Sequence, residues 1–262
     1  MVNHSRGRKS GAVKSPRTLM SEVNFQEISD TEKDKMDELV QRYERLDPIR
    51  CLELGGKKIN YSTPNLMTLG RVWNLFQAEP ITIEWILDFN ETDTMFDIGA
   101  NVGIYGIFAA VITRARVFAF EPESQNFGLL TKNIIYNDLA DTMTAWPIAI
   151  SDELKFGYLN LWGFRAGNSH HFFGEELNFK LEKEDFPFIQ GAVSTSIDTL
   201  VDTNTVPIPN HIKIDVDGIE HRVVRGAKNT LTDLGVRSIL IEVNTKLTEH
   251  RDMVEEIEKL GF

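Results

Sequence analysis

From residue 94 onward the chain alternates short apolar runs with amphipathic segments, the rhythm that a parallel sheet with crossover helices imposes. Residues 95–98 read as a first strand and 104–113 as its helix; 117–120 read as a second strand and 124–137 as the helix behind it. A third strand is predicted over 144–148, a fourth over 212–216, a helix over 219–234, a fifth strand over 238–243 and a last helix over 248–260. An insertion at 152–193 separates the third strand from the fourth, and its alternating residues 158–162 predict a small antiparallel hairpin.

Ahead of this core, Ser29-Asp30-Thr31-Glu32 has the form of a capping box, and Met36, Leu39, Val40, Tyr43 and Leu46 follow at helical spacing. That helix should stop before Pro48. Gly55-Gly56 predicts a turn, 58–61 a short strand and 81–89 a helix. The expected organisation is a tail over 1–28, a mixed helical cap over 29–92 and an α/β core over 93–262.

Composition adds exclusions. The net charge of −11 opposes attraction to a phosphate backbone, so no nucleic-acid partner is expected. Arg6, Arg8, Lys9, Lys14 and Arg17 gather at the N-terminus with no acidic residue among the first twenty positions, which reads as a disordered basic tail. It lacks the apolar helical face of an organelle-targeting peptide. The longest apolar stretch, around 104–113, is far short of the ~20 residues that cross a bilayer, so no membrane span is expected. Cys51 is the single cysteine, which excludes an intrachain disulfide and a cysteine-built zinc site and points to a reducing, cytoplasmic compartment.

Candidate chemistry starts where the first strand ends. Asp97-x-Gly99-x-Asn101-x-Gly103 marks a strand-to-helix turn at which glycines let backbone approach a ligand. The Gly-x-Gly-x-x-Gly dinucleotide fingerprint is absent, and a carboxylate at the strand end repels a pyrophosphate but suits the ammonium of a methionine moiety. Glu121 ends the second strand about twenty residues later, the offset at which an acidic side chain reaches ribose hydroxyls. Together these point to S-adenosyl-L-methionine as cofactor.

These residues also carry a likeness to a known family. Phe96-Asp97-Ile98-Gly99-Ala100-Asn101-Val102-Gly103-Ile104-Tyr105, Phe118-Ala119-Phe120-Glu121-Pro122, Ser196-Ile197-Asp198-Thr199-Leu200 and Lys213-Ile214-Asp215-Val216-Asp217-Gly218-Ile219-Glu220, preceded by Glu79-Pro80-x-Thr82-x-x-Trp85-Ile86, resemble the FkbM-type methyltransferases. The resemblance implies a Rossmann-like class I methyltransferase fold, a three-layer α/β sandwich. It also implies methylation of hydroxyl oxygens on sugars or secondary metabolites, so a small-molecule or glycan acceptor is the expected partner. Two departures stand out: Asp217 lies where the family more often has glutamate, and the chain stops at Gly261-Phe262, short of the strand pair that closes such sheets. The fifth strand is therefore expected to present an open edge, with either the sequence a fragment of a longer protein or the edge covered by an N-terminal segment or another chain.

The expected roles are Asp97, Gly99, Asn101 and Gly103 around the methionine end, Glu121 on the ribose, and Ala149 and Ser151 near the adenine edge. Asp215, Glu220 and His170 are the candidates facing the acceptor. Alternation puts Lys213, Asp215 and Asp217 on one face of the fourth strand, at the carboxyl edge where open α/β sheets bind ligands. Asp217 and Glu220 fit equally as N-cap and capping-box partner of the next helix. His170 and His171 are adjacent, so at most one points inward in an extended chain. A divalent metal among the acidic residues is possible chemistry without a recognisable ligand spacing, and no metal ligand is assigned. The competing readings are a nicotinamide-dependent oxidoreductase, which needs the missing pyrophosphate cradle, and a catalytically silent methyltransferase-like binding module.

Overall fold

The computed structural model describes residues 29–178 and 180–262; the basic tail expected over 1–28 lies outside the described residues. The chain divides between Leu46 and Asp47 into two compact units, rather than at the end of the cap expected over 29–92. In the first, helix α1 (Asp30–Arg45) starts at the predicted capping box: the Ser29 side chain accepts from the Glu32 N–H, and Glu32 accepts from the Ser29 N–H.

The second unit opens with a hairpin of β1 (Ile49–Leu54) and β2 (Lys57–Ser62). Gly55 and Gly56 both take positive φ, which a two-residue turn of this hand requires. Sequence periodicity revealed β2 alone, because β1 is exposed along most of its length and shows no apolar alternation. Tyr61 in β2 is fully buried and donates its hydroxyl to the Ile104 carbonyl, tying the hairpin to the core. Helices α2 (Leu66–Trp73), α3 (Leu75–Ala78) and α4 (Pro80–Leu87) follow.

The central sheet is parallel, with order β11-β10-β3-β4-β5. Its strands are β3 (Thr94–Ile98), β4 (Arg116–Phe120), β5 (Met143–Trp146), β10 (His211–Ile214) and β11 (Ser238–Ile241). One face packs on α5 (Ile104–Ile112) and α6 (Ser124–Tyr136) through Met95, Val117, Ala119 and Met143. The other packs Phe96, Ile98, Phe118, Phe120, Ile212 and Ile214 on α7 (Ile197–Asp202), α8 (Glu220–Arg225) and α9 (Thr248–Lys259). Burial on both faces explains why these strands read as continuous apolar runs. Among the described residues β11 pairs with β10 alone and forms a sheet edge, as the order read from sequence anticipated.

Three expectations change in detail. The third strand splits: Pro147, which lacks an N–H, ends β5, and β6 (Ala149–Ile150) joins another sheet. That second sheet, ordered β6-β9-β7-β8, contains β7 (Lys155–Leu161), β8 (Phe172–Phe173) and β9 (Phe188–Thr195), so the insertion holds more than the hairpin expected at 158–162. The helix read over 219–234 is only α8. Gly226 ends it, where a Cβ would sit 2.3 Å from the Ser151 carbonyl oxygen, and the Asp198 carboxylate then takes the Asn229 and Thr230 N–H groups into a short 3₁₀ turn (Thr230–Thr232).

Candidate active site

The carboxyl ends of β3, β4 and β10 converge on one cleft. Gly99 and Asn101 follow β3, Glu121 and Pro122 follow β4, and Asp215, Val216 and Asp217 follow β10; all line it. The opposite wall comes from the insertion through Leu159, Asn168, Ser169, His171 and Phe173, with Ala149, Ile150 and Ile219 closing an apolar end. A left-handed turn at Gly99 brings its loop against the one after β10: a Cβ there would lie 1.8 Å from the Asp215 carbonyl oxygen, so no side chain fits.

Glu121 is buried, yet both its oxygens are already engaged. Oε2 accepts from the Asn101 N–H at 2.7 Å and Oε1 from the Glu123 N–H at 2.8 Å. Each carboxylate oxygen keeps a second acceptor site, which leaves the group able to take two hydroxyls from the cleft. Burial nevertheless pushes its pKa up to about 8, with the nearby Glu123 and Asp217 charges adding to the rise.

Asn101 has a second task. Its side-chain amide donates to the Asn168 carbonyl at 2.7 Å, and Asn126 donates to the same carbonyl at 3.0 Å. Asn126 also accepts from the Gly167 N–H, while Arg71 Nε donates to the Gly167 carbonyl at 2.8 Å. The loop that roofs the cleft is thus fastened to the glycine loop, to α6 and to α2 by polar side chains.

Other predicted residues sit beside the cleft rather than on it. Asp97 lies under α5 with its Oδ2 unpartnered, 2.8 Å from where a Cβ on Gly106 would be. Burial raises its pKa to about 6, opposed by the Lys213 ammonium. Gly103 is the N-cap of α5 and makes room for Leu130; Ser151 donates its hydroxyl to Asp152. Ala149 does line the apolar end, where it was expected.

A second cleft adjoins the first and shares Arg71, Ser169, Asp215 and Asp217 with it. Its further walls are Glu79, Pro80 and Ile81 at the start of α4, Lys213 in β10, and Leu240, Ile241 and Glu242 at the end of β11, with His170 above. Lys213 Nζ is buried and donates to Asp215 Oδ2 at 2.7 Å, and lies 5.2 Å from the Tyr105 ring centre. Burial works against its charge, but the carboxylates of Asp215, Asp97 and Glu79 outweigh it and hold the pKa above the usual lysine value. Burial likewise works against the Asp215 carboxylate, and the Lys213 ammonium reverses this, keeping it ionised. Burial, together with the neighbouring Asp215 charge, pushes Glu242 up to about 7.

Of the three residues expected to face the acceptor, Asp215 and His170 meet at the second cleft and Glu220 does not. Asp215 lines both clefts. Glu220 is 1% exposed and turned away, accepting from the Val216 and Gly218 N–H groups and lying 3.3 Å from His250 Nε2. Its capping-type role wins because Asp217 and Gly218 take positive φ, folding the loop back so that these N–H groups point at Glu220. His170, half exposed, pairs with Asp217: its N–H donates to Oδ2 at 2.7 Å and its ring approaches Oδ1 at 3.3 Å, which raises the imidazole pKa. His171, passed over in the sequence, is the one on the cofactor-side wall. Glu242 was also missed, although it follows β11 at the same sheet edge that singled out Asp215. Among the described residues no group of three His, Cys, Asp or Glu side chains is placed to hold a metal ion, and no described helix is long and apolar enough to cross a membrane.

Comparison with known proteins adds the lineage. The hexuronic acid methyltransferase AglP of Haloferax volcanii is 27% identical over 218 residues, covering 80% of this chain and 83% of that protein. Among solved structures, the FkbM methyltransferase of Methylobacillus flagellatus aligns with a TM-score of 0.47 and 17% identity, over 66% of this chain and 38% of that one, so the chain spans little more than a third of that relative. The human methyltransferase 10 domain containing protein aligns with a TM-score of 0.40 and 13% identity, over 89% and 88% of the two chains. The methyltransferase FkbM domain matches residues 97–262, from the aspartate of the glycine motif through both clefts to the last residue, and the chain belongs to that family.

Proposed function

We propose that this methyltransferase uses S-adenosyl-L-methionine and transfers its methyl group to a hydroxyl oxygen of a sugar-type acceptor, with a hexuronic acid as the first candidate. The observation that carries the reading is the junction of the two clefts at Asp215. One side offers Glu121 and close backbone at Gly99 to a nucleoside, and the other offers carboxylates and Arg71 to a hydroxyl-rich molecule. The relative that acts on hexuronic acid supports the acceptor class.

The cofactor supplies an electrophilic methyl group on a positively charged sulfur. On the protein's side, Glu121 accepts from the two ribose hydroxyls, and Gly99 and Asn101 bring backbone against the ligand. Asp215 and Asp217 bring carboxylates to the shared junction, which suits a sulfonium, with Arg71 offsetting part of their charge. Asp97 answers the ammonium only through the field it shares with Lys213, since its carboxylate lies behind the loop.

On the acceptor side, Asp215 would orient the hydroxyl and Glu242, the more basic carboxylate, would take its single proton during methyl transfer. A positioned base of this kind contributes ~10²–10⁴-fold, and alignment of acceptor and donor contributes up to ~7–11 kcal/mol in the best cases. His170 holds Asp217 at the rim.

The test incubates the full chain with S-adenosylmethionine labelled at the methyl group and a panel of glucuronic acid, galacturonic acid and their neutral hexose counterparts. Label in a methyl ether of the sugar supports the reading. Label in a methyl ester instead moves the acceptor atom to the carboxylate. Tighter calorimetric binding of NAD than of S-adenosylhomocysteine overturns the cofactor assignment.

A further inference from the structure

His171 is a partly buried side chain whose two ring nitrogens are paired with nothing in the protein. Both ring nitrogens are sequestered from solvent, and neither has a hydrogen-bond partner. A buried imidazole ordinarily donates through one nitrogen and accepts through the other. Here both are unpaired, in a residue that lines the cleft holding Glu121, Phe120 and Ala149.

The backbone explains why the ring is presented there. His170 takes φ 63, a left-handed conformation that breaks the alternation of an extended chain and turns its own side chain toward Asp217. The residues after the pair anchor it: Phe172 is 1% exposed and Phe173 5%, and both pair with β7 as β8. His171 is therefore held between a fixed turn and a fixed strand. Burial keeps the ring neutral by lowering its pKa, which preserves one donor and one acceptor.

We propose that His171 is a cofactor-recognition residue whose imidazole hydrogen-bonds the adenosyl part of the ligand seated on Glu121. This rests on the cofactor reading above. A purine edge carries donors and acceptors side by side, as does a neutral imidazole, whereas the neighbouring wall at Ala149, Ile150, Leu159 and Ile219 is apolar and offers no such pairing. The insertion thereby contributes a specificity element that the glycine motif and Glu121 lack, and it ties recognition of the nucleoside to placement of the roof.

Calorimetry on the full chain with S-adenosylhomocysteine and, separately, with adenosine tests this. His171→Phe keeps an aromatic ring and removes both hydrogen-bonding atoms; His171→Asn keeps a donor and an acceptor. The expected result is at least tenfold weaker binding of both ligands to His171→Phe and partial recovery in His171→Asn, with melting temperatures close to the parent's. In the wild-type chain, nitrogen-15 spectra of the His171 ring should shift on addition of S-adenosylhomocysteine, a readout independent of how the variants fold. If the parent binds S-adenosylhomocysteine and neither His171→Phe affinity nor the ring resonances change, the assignment to His171 fails while the cofactor reading stands. Loss for S-adenosylhomocysteine but not adenosine places His171 on the amino-acid half and overturns the adenosyl contact. If the parent binds neither ligand, the cofactor reading falls and takes this proposal with it.

Discussion

Asn101 and Glu121 stand 20 residues apart and meet through a 2.7 Å hydrogen bond because adjacent parallel strands, β3 and β4, end side by side. The acceptor-side wall has no such local origin: Arg71 comes from α2, Glu79 from the start of α4, His170 from the insertion, Asp215 from β10 and Glu242 from the edge strand β11. The Asn101–Glu121 pair comes from a single β-α-β unit, whereas the second cleft is assembled from five separated segments. Cofactor chemistry can thus stay constant while the acceptor side changes, since each of its segments sits on a different element.

The strongest way to break this contrast is Asp215→Asn, at one of the two carboxylates, with Asp217, that line both clefts. Turnover should fall by ~10²–10⁴-fold while S-adenosylhomocysteine affinity stays within a few-fold, as read from steady-state kinetics beside calorimetry. Full activity would mean that Glu242 works without Asp215.

Next comes Gly99→Ala. Positive φ and a Cβ 1.8 Å from the Asp215 carbonyl force the two loops apart, so stability should drop by roughly 1–3 kcal/mol or more. A denaturant melt with an unchanged midpoint would mean that the loops separate freely.

Glu121→Ala should weaken S-adenosylhomocysteine by roughly 10–100-fold, since a hydrogen bond to a charged group contributes ~1.5–3 kcal/mol. An unaltered dissociation constant would remove Glu121 from the cofactor wall.

The smallest effect is a pH dependence confined to that wall. Burial holds Glu121 at about 8, above the ordinary carboxyl value, so the free protein carries a proton there at neutral pH. Ribose hydroxyls bind the ionised form, and affinity should tighten as pH rises toward about 8, by up to about tenfold per unit, then level off. Glu121→Gln should flatten the profile; a parent whose affinity falls as pH rises over that range would contradict the assigned ionisation.

How much of the molecule the sequence discloses follows the same division. Strands β3, β4 and β10 are almost wholly buried and carry enough apolar residues to announce themselves, and the glycine motif and Glu121 follow from the ends of β3 and β4. The β7–β9 pairing joins Lys155 to Ser194 across a long connection, and no periodicity in the acidic, aromatic residues between them predicts it. The expectation that at most one of His170 and His171 points inward assumed extended backbone; His170 is left-handed, and the two residues line adjoining clefts. Glu242 obeys the strand-end rule that found Asp215, but the fifth strand was read two residues too long, to 243, which hid it inside an element instead of at its end. Asp97 erred in the opposite way: its position at a strand end is right, yet the pleat turns it under α5.

The roof of the cofactor cleft hangs from the body by amide and guanidinium groups: Asn65 on the Ala166 carbonyl, Arg71 on Gly167, Asn101 and Asn126 on Asn168. Each such bond nets only ~0.5–1.5 kcal/mol, and breaking them exposes no large apolar face. The roof is therefore expected to open locally while the sheet stays folded. In exchange terms, the Gly167 amide, which donates to Asn126, should trade its proton through local opening rather than global unfolding. Ligand entry and product exit then run on the clock of that opening, and a nucleoside bound beneath the roof slows it.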